Sequence, residues 1–255
     1  DTMRQMAADG IGRALVFVTS AYSSYSACRQ YVEDIERAQA AVGPSAPECA
    51  KLRQLYNQQG FLDALADRLT AAFDRLPVER RAEVHLLFTA HSVPLEMAGS
   101  SRYVEQLEEV AAHLAARLGR SDYRLVWQSR SGPPSQPWLE PDIKDALTGI
   151  AASDGSRYVV VHPIGFISDH MEVIYDLDTQ AMEHARELGL VMERAGTAGT
   201  HPAFVGMIRE LIEERMRSGE AANPCLANCC PSPQMLAGIS PGKARPAGAQ
   251  NKGSD

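Results

Sequence analysis

Short, β-branched apolar runs alternate with amphipathic helical segments along most of this chain. That alternation restricts the fold more than any other feature. The runs fall at 14–19, 84–90, 123–128, 158–164 and 188–193. Helical spacing marks Phe61, Leu62, Leu65, Leu69 and Phe73, then Val104, Leu107, Val110 (with Ala111), Leu114 and Leu118, and last Phe204, Ile208, Leu211 and Ile212. Strands that alternate with helices imply a parallel sheet covered on both faces, because each crossover lays a helix on one side. The apolar stripes are therefore core, and the fold class is α/β. The segment 76–81 holds Pro77 and three charges and reads as a linker. It separates one α/β unit, 1–80, from a second, 81–222. No internal repeat of short fixed period stands out. A Cys-containing tail, 223–255, follows. From Ser240 onward it is mostly Ser, Gly, Pro, Ala and Lys without periodicity, which predicts disorder there.

The 255 residues allow one large or two small domains, and an apolar content of 45% allows a sizeable core. A net charge of -7 argues against nucleic acid as a general partner. No run of about 18 apolar residues is present, so no transmembrane helix is expected. Nor does an apolar core follow Asp1, Thr2, Met3, Arg4, Gln5 and Met6, as in a signal peptide. The expected location is the cytoplasm. Without an initiator Met at position 1, the chain reads as a fragment that begins inside a longer protein.

Two segments carry the candidate chemistry. In the first, the apolar run 158–164 leads into a Pro-x-Gly turn at Pro163 and Gly165. A helical pattern then opens with Ser168, Asp169, His170 and Glu172. At 3.6 residues per turn, Asp169, Glu172, Asp176 and Glu183 share one face. A row of carboxylates headed by a histidine suits guiding a hard cation or taking protons from a buried ligand. The plainer reading is a solvated helix, capped by Ser168 or Asp169, with acids at the positive end of its dipole. In the second segment, His91 stands where the run 84–90 stops. Ligands of open α/β sheets bind at the carboxyl ends of strands, although taken alone His91 is more simply a loop histidine.

Five cysteines are present: Cys28, Cys49, Cys225, Cys229 and Cys230. In a cytosolic protein such residues favour metal binding over disulfides. Cys225, Cys229 and Cys230 follow the last helical pattern between Pro224 and Pro231. Three soft thiolates so close together suit an iron–sulfur cluster or zinc, or else form a tail of unliganded thiols. Cys49 lies in an apparently polar loop and reads as a bystander.

The motifs, taken in order, resemble those of the ferrochelatase family. They are Ala90-His91-Ser92-Val93-Pro94; Gln128-Ser129-Arg130-Ser131-Gly132-Pro133 with Trp138-Leu139; Pro163-Ile164-Gly165-Phe166 with Asp169-His170-Met171-Glu172; and His201-Pro202-Ala203-Phe204. The resemblance implies a chelatase-like fold of two similar, doubly wound parallel-sheet domains. The first would be incomplete here, because family members carry a further upstream segment that supplies part of the porphyrin-facing lip. The fragment expressed alone would then be poorly active or aggregate.

The implied reaction is insertion of Fe²⁺ into a porphyrin in heme biosynthesis. The cysteine tail resembles actinobacterial members, which favours coproporphyrin III as substrate, with protoporphyrin IX the near alternative. By resemblance, His91 faces the macrocycle centre as proton acceptor and transient iron ligand, and Glu172 shares the proton or metal work. His170 orients Glu172 or the loop, or is an ordinary N-terminal helix residue. Asp176 belongs to a metal or proton path, and Asp178 lies off that face. The cluster-bearing relatives imply a [2Fe–2S] cofactor on Cys28, Cys225, Cys229 and Cys230. A downstream enzyme of the heme pathway is a possible partner. The rival readings are a non-catalytic heme- or cluster-binding homologue and a cobalt chelatase of siroheme-type rings.

The remaining polar residues receive structural readings. Trp138 packs near a helix start. Arg130 either meets a porphyrin propionate or, more simply, holds its loop to a neighbouring acid. His162 is a strand-end residue, His85 is half-buried, and His113 and His184 are solvated on helix faces.

Overall fold

The computed structural model describes residues 1–153, 155–218 and 230–231. The chain begins with α1 (Thr2–Ala8), β1 (Arg13–Val16), a π-helical turn (Tyr25–Arg29), α2 (Gln30–Val42), β2 (Glu48–Lys51) and α3 (Gln59–Asp74). A 3-10 turn (Val78–Glu83) leads to β3 (His85–His91), α4 (Leu95–Gly99), α5 (Tyr103–Arg117), β4 (Arg124–Gln128), α6 (Ile143–Ala151) and β5 (Tyr158–His162). One continuous helix follows: α7 (Met171–Val173), a π segment (Ile174–Ala181) and α8 (Met182–Glu187). The chain then runs through β6 (Val191–Arg194) and α9 (Pro202–Ser218).

Strands β1 and β2 pair in parallel, and the other four form a parallel sheet in the order β4-β3-β5-β6. Strand β3 lies inside this sheet, and Leu86 to Ala90 are all buried. This is why its sequence is largely apolar rather than alternating, with Thr89 the one polar residue of that stretch. Successive side chains still point to opposite faces. Leu86, Phe88, Ala90 and Val160 pack with α3, α5 and α9, whereas Leu87, Val126, Val159 and Val161 pack with α6, the π segment and α8. Helices thus cover both faces, as the alternation implies.

The segments before and after the 3-10 turn share one core and are joined by buried hydrogen bonds. A Cβ on Gly60 of α3 would lie 2.4 Å from the Ala203 carbonyl oxygen of α9, so the helices cross at contact distance. The buried Tyr22 hydroxyl donates to the Ile164 carbonyl at 2.8 Å, and the Ser23 N–H donates to Gln106 Oε1 at 2.8 Å.

Several sequence expectations need correction. Only 14–16 of the run 14–19 fall in a strand, which spans Arg13–Val16. Strand β2 is short and has no apolar run, so Cys49 sits in a strand, opposite Ala14, rather than in a polar loop. Most of the segment 76–81 enters the 3-10 turn. There Arg81 donates to the carbonyls of Leu76 and Asp74. The last strand begins later than 188, because Gly189, at φ 70°, ends the preceding helix. The tail from Ser240 onward lies outside the described residues.

Candidate active site

His91 ends β3, and the chain around it is tightly held. The Ser92 N–H donates to the Gln128 carbonyl at 2.8 Å, and the Ser92 hydroxyl donates to the Leu139 carbonyl at 2.9 Å. The Tyr103 hydroxyl donates to the His91 carbonyl at 3.0 Å. His91 Nδ1 stands 2.5 Å from the Ser92 carbonyl oxygen. A carbonyl can only accept, so Nδ1 carries a proton, and in the neutral ring it is Nε2 that presents the lone pair. That nitrogen lies 3.9 Å from Glu172 Oε1. A lone pair and a carboxylate repel unless a proton or a cation stands between them. The pair is therefore arranged to take up one or the other.

Glu172 is placed by the turn that follows β5. The Gly165 N–H donates to the Thr89 carbonyl at 3.0 Å. A Cβ on Gly165 would come within 2.4 Å of Ala90 Cβ, so only glycine lets the turn lie against β3. His170 is the helix N-cap: its Nδ1 accepts the Glu172 N–H at 3.3 Å, and its ring meets Phe166 edge-on. This cap was expected at Ser168 or Asp169.

Beyond Val173 the helix widens into a π segment, and counting at 3.6 residues per turn fails there. The four acids do not share a face. Asp176 accepts the Ser129 hydroxyl, and Gln128 Nε2 donates to the Glu172 carbonyl at 3.3 Å and to Asp176 Oδ2 at 3.5 Å. Asp169 and Asp178 turn instead to Arg194, and Glu183 is exposed on α8. Ser129 has a φ of 62°, uncommon for a residue with a side chain and typical of functional loops.

Two cavities open beside these groups. One, of about 260 Å³, is lined by His91, Ser92, Tyr22, Tyr103 and Trp138. The other, of about 600 Å³, is lined by His170, Phe17, Phe166, Ile167 and Phe204. Ser20 and Gly165 line both, so the cavities adjoin between the residues after β1 and the carboxyl ends of β3 and β5.

Residues 1–216 match the family model for Ferrochelatase. This chain belongs to the ferrochelatase family. The ferrochelatase relatives include one from Nocardia farcinica named coproporphyrin III ferrochelatase, 47% identical, covering 90% of this chain and 71% of the relative. Another of that name, from Frankia alni, is 46% identical, covering 92% of this chain and 66% of the relative. The chain thus spans about two thirds of these ferrochelatases. The solved structure of SirB from Bacillus subtilis with Fe³⁺ matches with a TM-score of 0.56 at 13% identity, covering 83% of this chain and 76% of that one. That match shows a shared chelatase fold.

Other residues take structural places in the fold. His201 Nδ1 accepts the Ala203 N–H at 3.2 Å, and Nε2 lies 3.2 Å from Asp67, which pins the start of α9 to α3. Arg130 donates to the Gln136 carbonyl at 3.1 Å and lies 3.7 Å from Glu140, holding its own loop. Trp138 bridges to Pro94 and covers Gly132, where a Cβ would clash with the indole. His162 is fully buried against Phe88, and burial pushes its pKa down to about 3. His184, read as solvated, bonds Thr148 Oγ1 at 2.9 Å, whereas His113 is exposed.

Of the four expected cluster ligands, Cys28 and Cys230 are buried, and Cys225 and Cys229 lie outside the described residues. Among the described residues no group of three or more His, Cys, Asp or Glu side chains is placed to hold a metal ion. Sequence reading did not assign roles to Ser129, Tyr103 or Arg194. Ser129 and Arg194 each stand at the carboxyl end of a strand, the position that would have marked them.

Proposed function

We propose that this chain inserts ferrous iron into a porphyrin, as the ferrochelatases it resembles are named for doing. The observation that carries this reading is the His91 Nε2 lone pair facing the Glu172 carboxylate across 3.9 Å, where β3 opens into the paired cavities. The reaction consumes Fe²⁺ and the free-base porphyrin and yields the iron porphyrin and two protons. His91 Nε2 accepts a pyrrole proton, and its Nδ1–H on Ser92 holds the ring in the basic tautomer. Glu172 shares the proton or offers an oxygen to the incoming iron, a hard-ligand role that suits a carboxylate. His170 fixes the Glu172 backbone. Asp176, partly buried under Ser129 and Gln128, is the next acceptor along a metal or proton path.

The substrate we propose is coproporphyrin III, on the strength of the relatives' names. Absorbance-monitored insertion under anaerobic conditions, with coproporphyrin III and protoporphyrin IX in parallel, tests both levels. Faster turnover of coproporphyrin supports the reading. Preference for protoporphyrin keeps the reaction and overturns the substrate. No insertion into either ring overturns the function and favours a binding protein.

The reading extends to a [2Fe–2S] cluster on Cys28, Cys225, Cys229 and Cys230, in a protein working in the cytoplasm beside the next heme-pathway enzyme. The burial of Cys28 and Cys230 fits a group screened from water. When bound, such a cluster supplies a one-electron redox centre and a cross-link between the tail and the first unit.

A further inference from the structure

Arg194 closes β6, and its side chain is only 15% exposed. Nε and Nη2 hold both carboxylate oxygens of Asp178, the second at 2.8 Å. Nη1 donates to Asp169 Oδ1 at 3.0 Å and to the Ala195 carbonyl at 3.2 Å. One guanidinium therefore grips two acids that lie on either side of Glu172 along the chain. Asp169 precedes the His170 cap, and Asp178 lies inside the π segment.

The two aspartates are nine positions apart (178 − 169). On a regular α-helix, at roughly 100° per residue, nine steps put two side chains on opposite faces. Here both reach one guanidinium, because the chain enters His170 extended and the helix then widens. The other side of the same segment is held from β4, by Ser129 on Asp176 and Gln128 on the Glu172 carbonyl. Strands β4 and β6 are the two outer strands of the sheet, so the helix is gripped from both edges.

We propose that Arg194 is a positioning residue: by closing on Asp169 and Asp178 together it selects the π segment over a regular helical turn, and so sets where Glu172 and Asp176 point. Lysine cannot do this, because a single ammonium lacks the planar fork that engages two carboxylates in fixed directions. The catalytic consequence rests on the metal-insertion reading, whereas the latch itself can be read without turnover.

The test uses the full protein and its Arg194→Lys and Arg194→Gln variants, with amide hydrogen exchange read on peptides covering 171–181 and, as control, β3. Exchange about tenfold faster in 171–181, with β3 unchanged, is expected for both variants. Iron insertion should fall about tenfold in kcat with the porphyrin KM little changed, and adding Asp178→Asn to Arg194→Gln should cost little more. Wild-type exchange in 171–181 in the variants overturns the latch. If the wild type inserts no iron, the functional reading fails while exchange still decides the latch. Should Arg194→Gln not fold, Asp178→Asn serves instead: faster exchange confined to 171–181 supports the latch, and unchanged exchange overturns it.

Discussion

His91 Nε2 faces Glu172 Oε1 at 3.9 Å, and the two arrive from different sides: His91 from the end of an inner strand, Glu172 from the first turn of a helix. Neither is held by its partner. His91 is set by Ser92 and Tyr103, and Glu172 by His170 and Gln128. The gap between them is thus fixed by the surrounding backbone and stays open to a proton or a cation.

Glu172→Gln keeps the shape of the side chain and removes its charge. If the carboxylate shares proton or metal transfer, kcat for iron insertion falls by about a hundredfold or more. Porphyrin binding, followed by fluorescence quenching, stays near wild type. A variant with wild-type kcat contradicts the role.

Ser129→Ala removes the hydroxyl donor to Asp176. Among the described residues, Asp176 then keeps only the long contact to Gln128, at 3.5 Å. If Asp176 works as a station for metal or protons, kcat falls by about tenfold to a hundredfold, the cost of one hydrogen bond to a charged group. The melting temperature changes little. Steady-state kinetics against a thermal scan separates the two effects.

Gly165→Ala would push a methyl into Ala90. Over-packing of this kind costs about 1–3 kcal/mol. The turn carries the segment leading to Glu172, so activity should fall with stability. A urea midpoint equal to wild type contradicts the contact.

His162 makes stability depend on pH. In the unfolded chain its pKa is about 6.5, and in the fold burial lowers it to about 3. Between these values the unfolded state binds the extra proton. The contribution is complete above pH 6.5 and is lost as pH falls toward 3, at about 1.4 kcal/mol per unit. Urea unfolding at pH 7 and pH 5 should show that His162→Leu loses less stability than wild type, by about 2 kcal/mol. Equal losses in the two proteins contradict this.

Strand β3 and its terminal histidine were legible because a strand buried on both faces writes a largely apolar run, here 84–90, and the run stops at His91. The Pro163 to Gly165 turn was legible because proline and glycine punctuate the end of an apolar run, and the structure adds that only glycine fits against Ala90. Strand β2 was not, because Glu48, Cys49, Ala50 and Lys51 carry no pattern and become a strand only by pairing with β1. The faces of the acidic helix were misplaced for a different reason. Periodicity assumes one helical geometry, and a π segment breaks the count between Glu172 and Asp178. Arg194 escaped notice because a charged residue at a strand end reads as solvated until its two carboxylates are seen to converge on it.

If a cluster binds Cys28, Cys225, Cys229 and Cys230, protein purified without oxygen carries about two irons and two acid-labile sulfides per chain. Cys28→Ser should then lose the visible absorbance and lower the melting temperature. Colourless wild-type protein, fully folded, contradicts the cluster.

The most direct test of the central claim is single-turnover iron insertion into bound coproporphyrin III by the wild type and His91→Ala, with porphyrin affinity measured in both. The account predicts that His91→Ala binds the ring with near wild-type affinity and inserts iron more slowly by about a hundredfold or more. Insertion by His91→Ala at the wild-type rate would contradict it.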